Sequence, residues 1–305
     1  MPLGRARSPF PAHPPAARRA PARRRALLPA VLTALAVALP SLPAVAQTLE
    51  RIAESGTLRL GYRTDAPPFS HALPSGEPAG FAVDLCREAI EPIREAAGLE
   101  EMAVEYVALG AETRFEAVRD GTVDLHCGPS THTFSRREIV DFSLPWFVSG
   151  ASVLFRQAGP DSFEALAGER VGVRSGTTTE EALGNTLEAL DITAAVVAVE
   201  SHEEGLERLA SGDIAAYFAD RAILLDLASR EGAPTGLRLS ERHFTVETYG
   251  LALARGDADF RLVVDRALAR TIDSPRIGEL FEAHFGGARP SELLRALYAL
   301  DRVPE

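Results

Sequence analysis

A chain of 305 residues with 46% hydrophobic content is long enough for two folded domains rather than one. Its formal net charge is −11, and the first 46 residues hold seven arginines and no acid, so removing them leaves a net charge near −18. Such a balance argues against nucleic acid or an anionic membrane surface as a partner.

The first 46 residues have the pattern of a secretory signal peptide. The arginines precede an apolar run of 14 residues, Ala26 to Leu39, and Ala44-Val45-Ala46 offers a small-residue cleavage site before Gln47. The run is too short to span a bilayer. We expect cleavage after Ala46 and export; the alternative is a disordered basic arm.

From residue 49 onward, hydrophobic periodicity predicts alternating helices and strands. Helices are predicted at 49–55, 81–97 and 114–119, and strands at 57–62, 104–107 and 123–127. A loop at 63–68 contains two prolines, and Pro92 predicts a kink or an early stop in the second helix. This alternation argues for parallel strands with helices on both faces of the sheet.

Two extended apolar runs, at 148–155 and 249–254, bracket a second alternating unit. Its predicted strands are 171–173, 194–199 and 215–219, and its helices are 179–190, 202–210 and 221–229. Further helices are predicted at 260–271 and 277–285. We therefore predict an α/β protein of two lobes, joined by a hinge of two strands and separated by a cleft. Lobe 1 comprises 47–149 and 250–290, lobe 2 comprises 150–249, and 291–305 forms a C-terminal tail helix. Each lobe is predicted to contain a mixed, mostly parallel sheet.

Residues 120–146 carry the most informative motif. An apolar strand run ends at Gly128-Pro129, and a hydroxyl-rich stretch with Thr131 follows before Arg136 and Arg137. A strand, a polar loop and a helix start gather backbone N–H groups and hydroxyls around a bound anion. Arg136 can add a bidentate guanidinium. The implied ligand is a small carboxylate.

The two cysteines and the histidines of this region give weaker signals. Secretion permits a disulfide between Cys86 and Cys127, but two buried thiols fit the sequence as well. His126 and His132 have no further acid or thiol at ligand spacing beyond Cys127, so we predict no metal site. No cofactor motif is found, and we expect no cofactor.

A series of short motifs spans about 190 residues in a fixed order: Gly61-Tyr62-Arg63, Gly80-Phe81, Asp84, Asp120-Gly121, Asp124, Cys127-Gly128, Thr131, Arg136, Ser175-Gly176-Thr177-Thr178, Glu180, His202, Asp220 and Tyr249-Gly250. In order and spacing they resemble the periplasmic solute-binding proteins of the polar amino-acid uptake family, and most of all its glutamate/aspartate-binding members. The resemblance implies the type II periplasmic-binding-protein fold and a free amino acid as ligand. It also implies that the chain docks on the permease subunits of an ABC transporter in the inner membrane. We expect a periplasmic monomer that binds no nucleic acid.

The resemblance and the chemistry of an acidic amino acid together imply nine contacts. They are Arg136, Thr131, Thr177 and Thr178 for the α-carboxylate, Asp220 and the carbonyl of Pro129 for the α-ammonium, and Arg63, Arg114 and His202 for the side-chain carboxylate. A neutral ligand such as glutamine would leave two arginines without a counter-anion, at a cost of several kcal/mol in a desolvated cleft. Asp220 could also simply cap the helix that starts at Arg221. Phe69 or Tyr62 is expected to cover the aliphatic stem of the ligand.

Two departures from the family pattern predict altered selectivity. Ala111 and Pro129 stand where the acidic-ligand relatives have serines, which favours a shift between aspartate, glutamate and another dicarboxylic amino acid. The alternative functions are a receptor for another polar amino acid and an enzyme similar to the cyclohexadienyl dehydratases of the same fold. In such an enzyme His202 or Glu180 would be the general acid. Because no nucleophile–base pair is visible, we predict that the protein is not an enzyme.

Overall fold

The computed structural model describes residues 48–302, so the predicted signal peptide at 1–46 lies outside the described residues. The strands of this part are β1 (Thr57–Arg63), β2 (Asp65–Ala66), β3 (Ser70–Ala72), β4 (Pro78–Ala79), β5 (Ala103–Leu109), β6 (Leu125–Thr131), β7 (Val140–Phe142), β8 (Phe147–Ser149), β9 (Ala151–Arg156), β10 (Arg170–Arg174), β11 (Ala195–Val199), β12 (Ala216–Asp220), β13 (Leu237–Leu239) and β14 (Glu247–Ala254). The helices are α1 (Thr48–Ser55), α2 (Phe81–Ala96), α3 (Arg114–Arg119), α4 (Phe134–Arg137), α5 (Thr178–Ala189), α6 (His202–Ser211), α7 (Arg221–Ser229), α8 (Ala258–Ile272), α9 (Arg276–Phe285) and α10 (Glu292–Leu300).

Most of the strands form two separate mixed sheets, each the centre of one lobe, and β2, β3 and β4 form a small third sheet. The sheet of lobe 1 has the order β5-β1-β6-β14-β7, with β8 paired to β14. Strands β5, β1 and β6 are parallel, and β14 runs antiparallel to its neighbours. The sheet of lobe 2 has the order β11-β10-β12-β9-β13, in which the first three are parallel. The predicted two-lobed α/β architecture is confirmed, while the exact residue boundaries of the lobes and of the tail stay a prediction.

Helix α2 shows how the sequence pattern builds lobe 1. Its residues Leu85, Cys86, Ala89 and Ile93 recur at helical spacing, are fully buried and face α8 and the sheet. The early stop expected at Pro92 is wrong, because the helix continues to Ala96. A proline inside a helix removes one backbone hydrogen bond, and the buried residues on either side of it hold the last turn in place. No helix within 48–302 is long and apolar enough to cross a membrane.

Strand β6 extends further than the sequence predicts. The motif at Gly128-Pro129 was expected to end the strand, but β6 runs on to Thr131, which pairs with Tyr249 of β14. The register of this pair shifts between Gly250 and Ala252, as in a β-bulge. Because a proline has no N–H to give to a ladder, a local break in the pairing lets the strand pass through Pro129. Thr131 is therefore held by the sheet rather than by a loop.

The predicted loop at 63–68 also contains regular structure. Strands β2, β3 and β4 form a small antiparallel sheet between 65 and 79, beside the end of β1. The three strands are only two or three residues long, which is too short for a periodicity signal. This small sheet carries Asp65 to the edge of the cleft.

The chain crosses between the lobes twice, and the two crossings touch at Gly150. A Cβ on this glycine would lie 1.9 Å from the carbonyl oxygen of Thr245, so only glycine fits. The neighbouring N–H of Ala151 donates to Thr245 Oγ1 at 2.8 Å. These contacts fasten the outgoing segment to the returning one, which is the two-strand hinge that the sequence predicts.

A disulfide joins Cys86 of α2 to Cys127 of β6 within lobe 1. The sequence left this pairing open, because each cysteine is also apolar enough to be buried alone. Both are fully buried. The bond links the principal helix of lobe 1 to the strand that carries Thr131.

Candidate functional site

A single cavity between the lobes is lined by all nine residues that the sequence singled out. Its full lining is Arg63, Arg114, Pro129, Thr131, Arg136, Thr177, Thr178, Thr179, His202, Asp220, Ile223, Glu247 and Tyr249. Several of them stand at carboxyl ends of strands, where ligands collect in α/β sheets. The cavity volume is about 30 Å³, so the two lobes are closed on one another.

Arg114 is a buried cation that forms no ion pair with a carboxylate of residues 48–302. It is the first residue of α3 and is 2% exposed. Its Nη1 donates to the carbonyl of Gly176 in lobe 2 at 3.2 Å, and its buried Nε has no hydrogen-bond partner in the described part of the chain. Burial, followed by the charges of Arg136 and Arg63, lowers the pKa of Arg114 well below its usual value. Such a group favours an incoming anion.

Arg136 converges on the same cavity from α4. The backbone N–H of Arg136 donates to its cap Thr133, and its Nη1 donates to the carbonyl of Thr131 at 3.1 Å. Burial lowers the pKa of Arg136 to about 10, although the charge of Glu247 opposes that shift. Its neighbour Arg137 is exposed.

An aromatic ring that the sequence analysis missed holds these two guanidinium groups. Phe115 is 7% exposed, and its ring centroid lies 4.2 Å from Arg114 Cζ and 4.9 Å from Arg136 Cζ. Cations stack favourably on aromatic faces when they are desolvated. Phe115 directly follows Arg114 in sequence, but nothing in the sequence pattern relates it to Arg136.

Arg63, unlike Arg114, has a counter-ion inside the protein. Asp65 Oδ1 accepts from Arg63 Nε at 2.8 Å and from Nη2 at 2.5 Å. Burial would raise the pKa of Asp65, but the charge of Arg63 and a hydrogen bond from Arg174 hold it at about 2. The expectation that a neutral ligand leaves Arg63 unpaired is therefore wrong, because Asp65 neutralises it. Among residues 48–302, Arg114 and Arg136 are the predicted site arginines that form no ion pair with a carboxylate.

Arg174 was missed by the sequence analysis and connects the lobes. It ends β10, is 3% exposed, and its Nε donates to Asp65 Oδ2 of lobe 1 at 2.8 Å. Its Nη1 also pairs with Glu112 of lobe 1. Glu112 in turn accepts from Ser175 Oγ at 2.8 Å. Two acidic side chains of lobe 1, Asp65 and Glu112, thus form ion pairs with one arginine of lobe 2.

His202 lies in the cavity as a neutral imidazole. It is the first residue of α6, is 3% exposed, and its Nδ1 lies 2.8 Å from the hydroxyl of Tyr217. Burial lowers the pKa of His202 to about 3, and burial also raises the pKa of Tyr217 above its usual range. At neutral pH His202 can therefore offer a hydrogen bond to a ligand but no positive charge.

Asp220 lies at the end of β12 and serves as a helix cap and as a cavity residue at once. Its Oδ1 accepts from the N–H of Ala222 in α7 and from Ser149 Oγ, each at 2.9 Å. It is 7% exposed. Burial, with the charge of Glu247, raises the pKa of Asp220 to about 7.

The threonines of the cavity are already engaged in hydrogen bonds. Thr177 caps α5 and donates to the carbonyl of Arg174 at 2.6 Å. Thr131 and Thr178 donate to Glu247 Oε2 at 2.5 and 2.7 Å. Glu247, at the start of β14, was not identified from the sequence, because nothing there distinguishes it from any other glutamate at a strand end.

The aromatic wall of the cavity differs from the expected one. Tyr249 lines it and stacks on Phe147 with ring centroids 6.1 Å apart. Phe69 is fully buried behind these rings, and the hydroxyl of Tyr62 donates to the carbonyl of Gly76. Neither of the two expected residues lines the cavity. Across residues 48–302, no group of three or more His, Cys, Asp or Glu side chains is arranged to hold a metal ion.

Comparison with known proteins relates this architecture to one family. A family model described as bacterial extracellular solute-binding proteins, family 3, matches residues 58–287. The L-glutamate/L-aspartate-binding protein of Pseudomonas aeruginosa is 32% identical over 259 residues, which cover 83% of this chain and 86% of that protein. The glutamate/aspartate import solute-binding protein of Escherichia coli is 26% identical, over 90% of this chain and 92% of its own length.

Among solved structures, an ancestral amino-acid-binding protein described as a precursor of cyclohexadienyl dehydratase superposes with a TM-score of 0.68. It is 27% identical, and the match covers 79% of this chain and all of that one. Sequence and fold thus agree over nearly all of the part that the structure describes. The chain belongs to the bacterial extracellular solute-binding proteins of family 3.

Proposed function

We propose that this protein is a periplasmic receptor for an acidic amino acid, glutamate or aspartate, which it delivers to an ABC-type importer. The observation that carries the proposal is the convergence of Arg114 and Arg136 on one interlobe cavity. Arg114 is buried and Arg136 is half-buried, and neither forms an ion pair with a carboxylate among residues 48–302. Two desolvated cations of this kind are stabilised when anionic groups of a ligand bind between them.

The two carboxylates of the ligand have distinct partners in this proposal. Arg136, with main-chain N–H groups of Thr131, Thr177 and Thr178, binds the α-carboxylate. Arg114 is the principal partner of the side-chain carboxylate, and Arg63 and His202 assist it. Because Asp65 already neutralises Arg63, the contribution of Arg63 is smaller than that of Arg114. The names of the relatives from Pseudomonas aeruginosa and Escherichia coli support an acidic ligand.

The α-ammonium is assigned to Asp220 and the carbonyl of Pro129. Both line the cavity, and Asp220 comes from lobe 2 while Pro129 comes from lobe 1. A buried carboxylate whose pKa is raised to about 7 is stabilised in its ionised form by a neighbouring cation. An ammonium held in this position would make contacts with both lobes at once.

Capture is proposed to occur by closure of the lobes. The cavity of about 30 Å³ has room for only one or two water molecules, so an amino acid enters after the lobes separate at the hinge. Since the ligand contacts both lobes only in the closed form, its binding stabilises that form. The closed form is then the one that docks on the permease subunits. We propose that the receptor acts as a monomer.

Export to the periplasm is supported by two independent features. The N-terminal 46 residues have a signal-peptide pattern with a cleavage site after Ala46. The Cys86–Cys127 disulfide is the kind of bond that persists in an oxidising compartment. Both features agree with a family whose members act outside the cytoplasm.

We propose binding rather than catalysis for this cavity. The fold is shared with a precursor of cyclohexadienyl dehydratase, and such an enzyme needs a general acid. His202 is neutral near pH 7, with a pKa of about 3. The carboxylate of Glu180 accepts from the N–H of Gly176 at 2.9 Å and is therefore engaged at the N-terminus of α5, the helix to which it belongs. We expect the purified protein to leave prephenate and arogenate unchanged; their conversion would support the enzyme instead.

A calorimetric comparison of ligands tests the receptor function. We expect the mature protein to bind glutamate or aspartate at least 100-fold more tightly than glutamine and asparagine, because only the acids neutralise both Arg114 and Arg136. Arg136→Ala should abolish this binding, and Arg137→Ala, at the exposed neighbouring position, should leave it unchanged. Equal affinities for acids and amides would overturn the acidic-ligand proposal.

A further inference from the structure

Glu247 receives three hydroxyl groups at the point where the two lobes and the hinge meet. Thr131 of lobe 1 and Thr178 of lobe 2 both donate to its Oε2, at 2.5 and 2.7 Å. Thr245 of the returning hinge segment donates to its Oε1 at 2.6 Å. Glu247 is 9% exposed. In all three bonds the hydroxyl is the donor, so each hydroxyl directs its proton to Glu247.

Thr245 illustrates this direction. Its Oγ1 accepts from the N–H of Ala151 at 2.8 Å, which leaves its single proton for Glu247. A threonine hydroxyl has one proton and two lone pairs. Once the proton is committed to the carboxylate, the oxygen can act only as an acceptor toward anything else.

The same constraint applies to Thr131 and Thr178, whose side chains line the ligand cavity. Their oxygens lie 3.2 Å apart, but neither has a second proton with which to bind the other or a ligand. Toward the cavity they present lone pairs. Hydroxyls in this state repel a carboxylate and accept from an ammonium, so these residues can offer the α-carboxylate only main-chain N–H groups.

We propose that Glu247 is a positioning residue that sets the hydrogen-bond polarity of Thr131 and Thr178 and thereby selects ligands that carry an α-ammonium. The inference rests on the proposed function and adds a specificity determinant to it. Asp220 supplies the negative charge that pairs with the ammonium. The hydroxyl oxygens of Thr131 and Thr178, whose protons point to Glu247, accept the remaining hydrogen bonds of the ammonium. A dicarboxylic acid without the amine has no donor for these two threonine oxygens, so their lone pairs face it without a hydrogen bond.

The test compares L-glutamate with glutarate, which has the same two carboxylates and no amine. Calorimetry with the mature protein gives the ratio of the two affinities for the wild type and for Glu247→Leu. Leucine accepts no hydrogen bond, so Thr131 and Thr178 must both turn their protons elsewhere. We expect the preference for glutamate over glutarate to fall at least tenfold, with the glutarate affinity kept or increased. The melting temperature without ligand serves to verify folding.

A second pair of variants separates hydroxyl orientation from the charge of Glu247. Thr178→Val removes one oriented oxygen and leaves the glutamate in place, and Thr178→Ser keeps the hydroxyl. We expect the valine variant to lose about fivefold or more of the glutamate preference and the serine variant to retain it. This pair also serves if Glu247→Leu does not fold.

Two outcomes would overturn the inference alone: an unchanged affinity ratio in Glu247→Leu, or equal ratios in the valine and serine variants. In both cases the wild type would still bind glutamate. If the wild type binds neither glutamate nor aspartate, the acidic-ligand function itself fails, and this inference fails with it.

Discussion

Arg174 and Asp65 form an ion pair across the cleft, with Arg174 Nε 2.8 Å from Asp65 Oδ2. Their side chains are 4% and 13% exposed, so the pair is largely removed from water. It joins β10 of lobe 2 to the small sheet of lobe 1, and Glu112 adds a second acid to the same guanidinium. The closed form is therefore held partly by direct contacts between the lobes. A ligand needs to supply only the remainder of the closing free energy.

Glu112 allows this contribution to be measured without disturbing the cavity. Its side chain is 41% exposed and does not line the cavity. In Glu112→Gln the closed form loses one charged interlobe contact. We expect ligand affinity to fall about two- to fivefold, the effect of a partly exposed ion pair worth up to about 1 kcal/mol. Stopped-flow fluorescence should assign the loss mainly to faster dissociation.

Asp213→Asn is the matched control for that variant. Asp213 pairs with Arg170 and Arg208, all within lobe 2, and is about as exposed as Glu112. Its removal should leave affinity and dissociation rate unchanged. If both variants weaken binding equally, the interlobe position of Glu112 has no special role.

The low pKa of Asp65 predicts that the free energy of unfolding decreases in acid. Its folded pKa of about 2 lies below the ordinary value of 3.8, so its stabilisation is present above pH 4 and is lost as the pH falls toward 2. The shift corresponds to about 2–3 kcal/mol at neutral pH. Denaturant unfolding at pH 7 should show Asp65→Asn less stable by about that amount. The difference from the wild type should disappear near pH 2, and a constant difference at all pH values would contradict this account.

The ion pairs around Asp65 also show which features could not be predicted from the sequence. The alternation of apolar runs predicted both lobes, and the family motifs predicted nine residues that share one cavity. Arg174 and Glu112 could not be predicted, because their pairing joins strand ends and loops that are 62 residues apart in the chain. The short strands of the small sheet lie below the length at which periodicity is visible. Ion pairing across a cleft leaves no pattern in a single sequence.

Glu247 and Phe115 were missed for a related reason. Each is ordinary in its local context, a glutamate at a strand end and a phenylalanine on an apolar helix face. Their significance comes from convergence, since Glu247 receives hydroxyls from both lobes and Phe115 stacks on two guanidinium groups. The sequence could single out Arg114 and Arg136 as candidate ligand-binding residues because both follow the family spacing. It could not show which arginines have internal counter-ions.

Replacing Arg114 should stabilise the unliganded protein and weaken ligand binding. Replacing it by methionine removes a buried cation that forms no ion pair with a carboxylate among residues 48–302, and it leaves an unbranched, apolar and shorter side chain. We expect the unliganded protein to gain about 1–3 kcal/mol in unfolding free energy and to lose roughly 100-fold or more in glutamate affinity. Glutamine affinity should change much less. Thermal melts and calorimetry measure the two effects.

Arg119→Met, on the same helix, is the control. Arg119 is exposed and pairs with Asp120 at the surface. It should change neither stability nor affinity appreciably. A loss of stability in Arg114→Met would show that the guanidinium of Arg114 stabilises the unliganded fold, which contradicts its proposed role as an unpaired cation that binds a ligand anion.

Asp220 predicts that binding strengthens as the pH rises through 7. Burial raises the pKa of Asp220 to about 7, and the ammonium of the ligand requires the ionised form. Below that pKa the apparent affinity should fall about tenfold per pH unit. Between pH 8 and pH 6 we therefore expect glutamate affinity, measured by calorimetry, to drop about tenfold. Glutarate has no ammonium, so its affinity should not fall over this range.

The same shift fixes the sign of the stability change in Asp220→Asn. A carboxyl whose folded pKa is raised contributes its stability below the unfolded value near 4 and loses it as the pH rises through 7. At pH 8 the ionised, buried carboxylate therefore destabilises the unliganded protein. Asparagine keeps an Oδ1 acceptor for Ser149 and for the N–H of Ala222. We expect Asp220→Asn to be more stable than the wild type at pH 8, by on the order of 2–4 kcal/mol, and about equal to it at pH 4. Its glutamate affinity should be at least 100-fold weaker and independent of pH between 6 and 8. A variant that binds glutamate with the wild-type pH profile would remove Asp220 from the ammonium site.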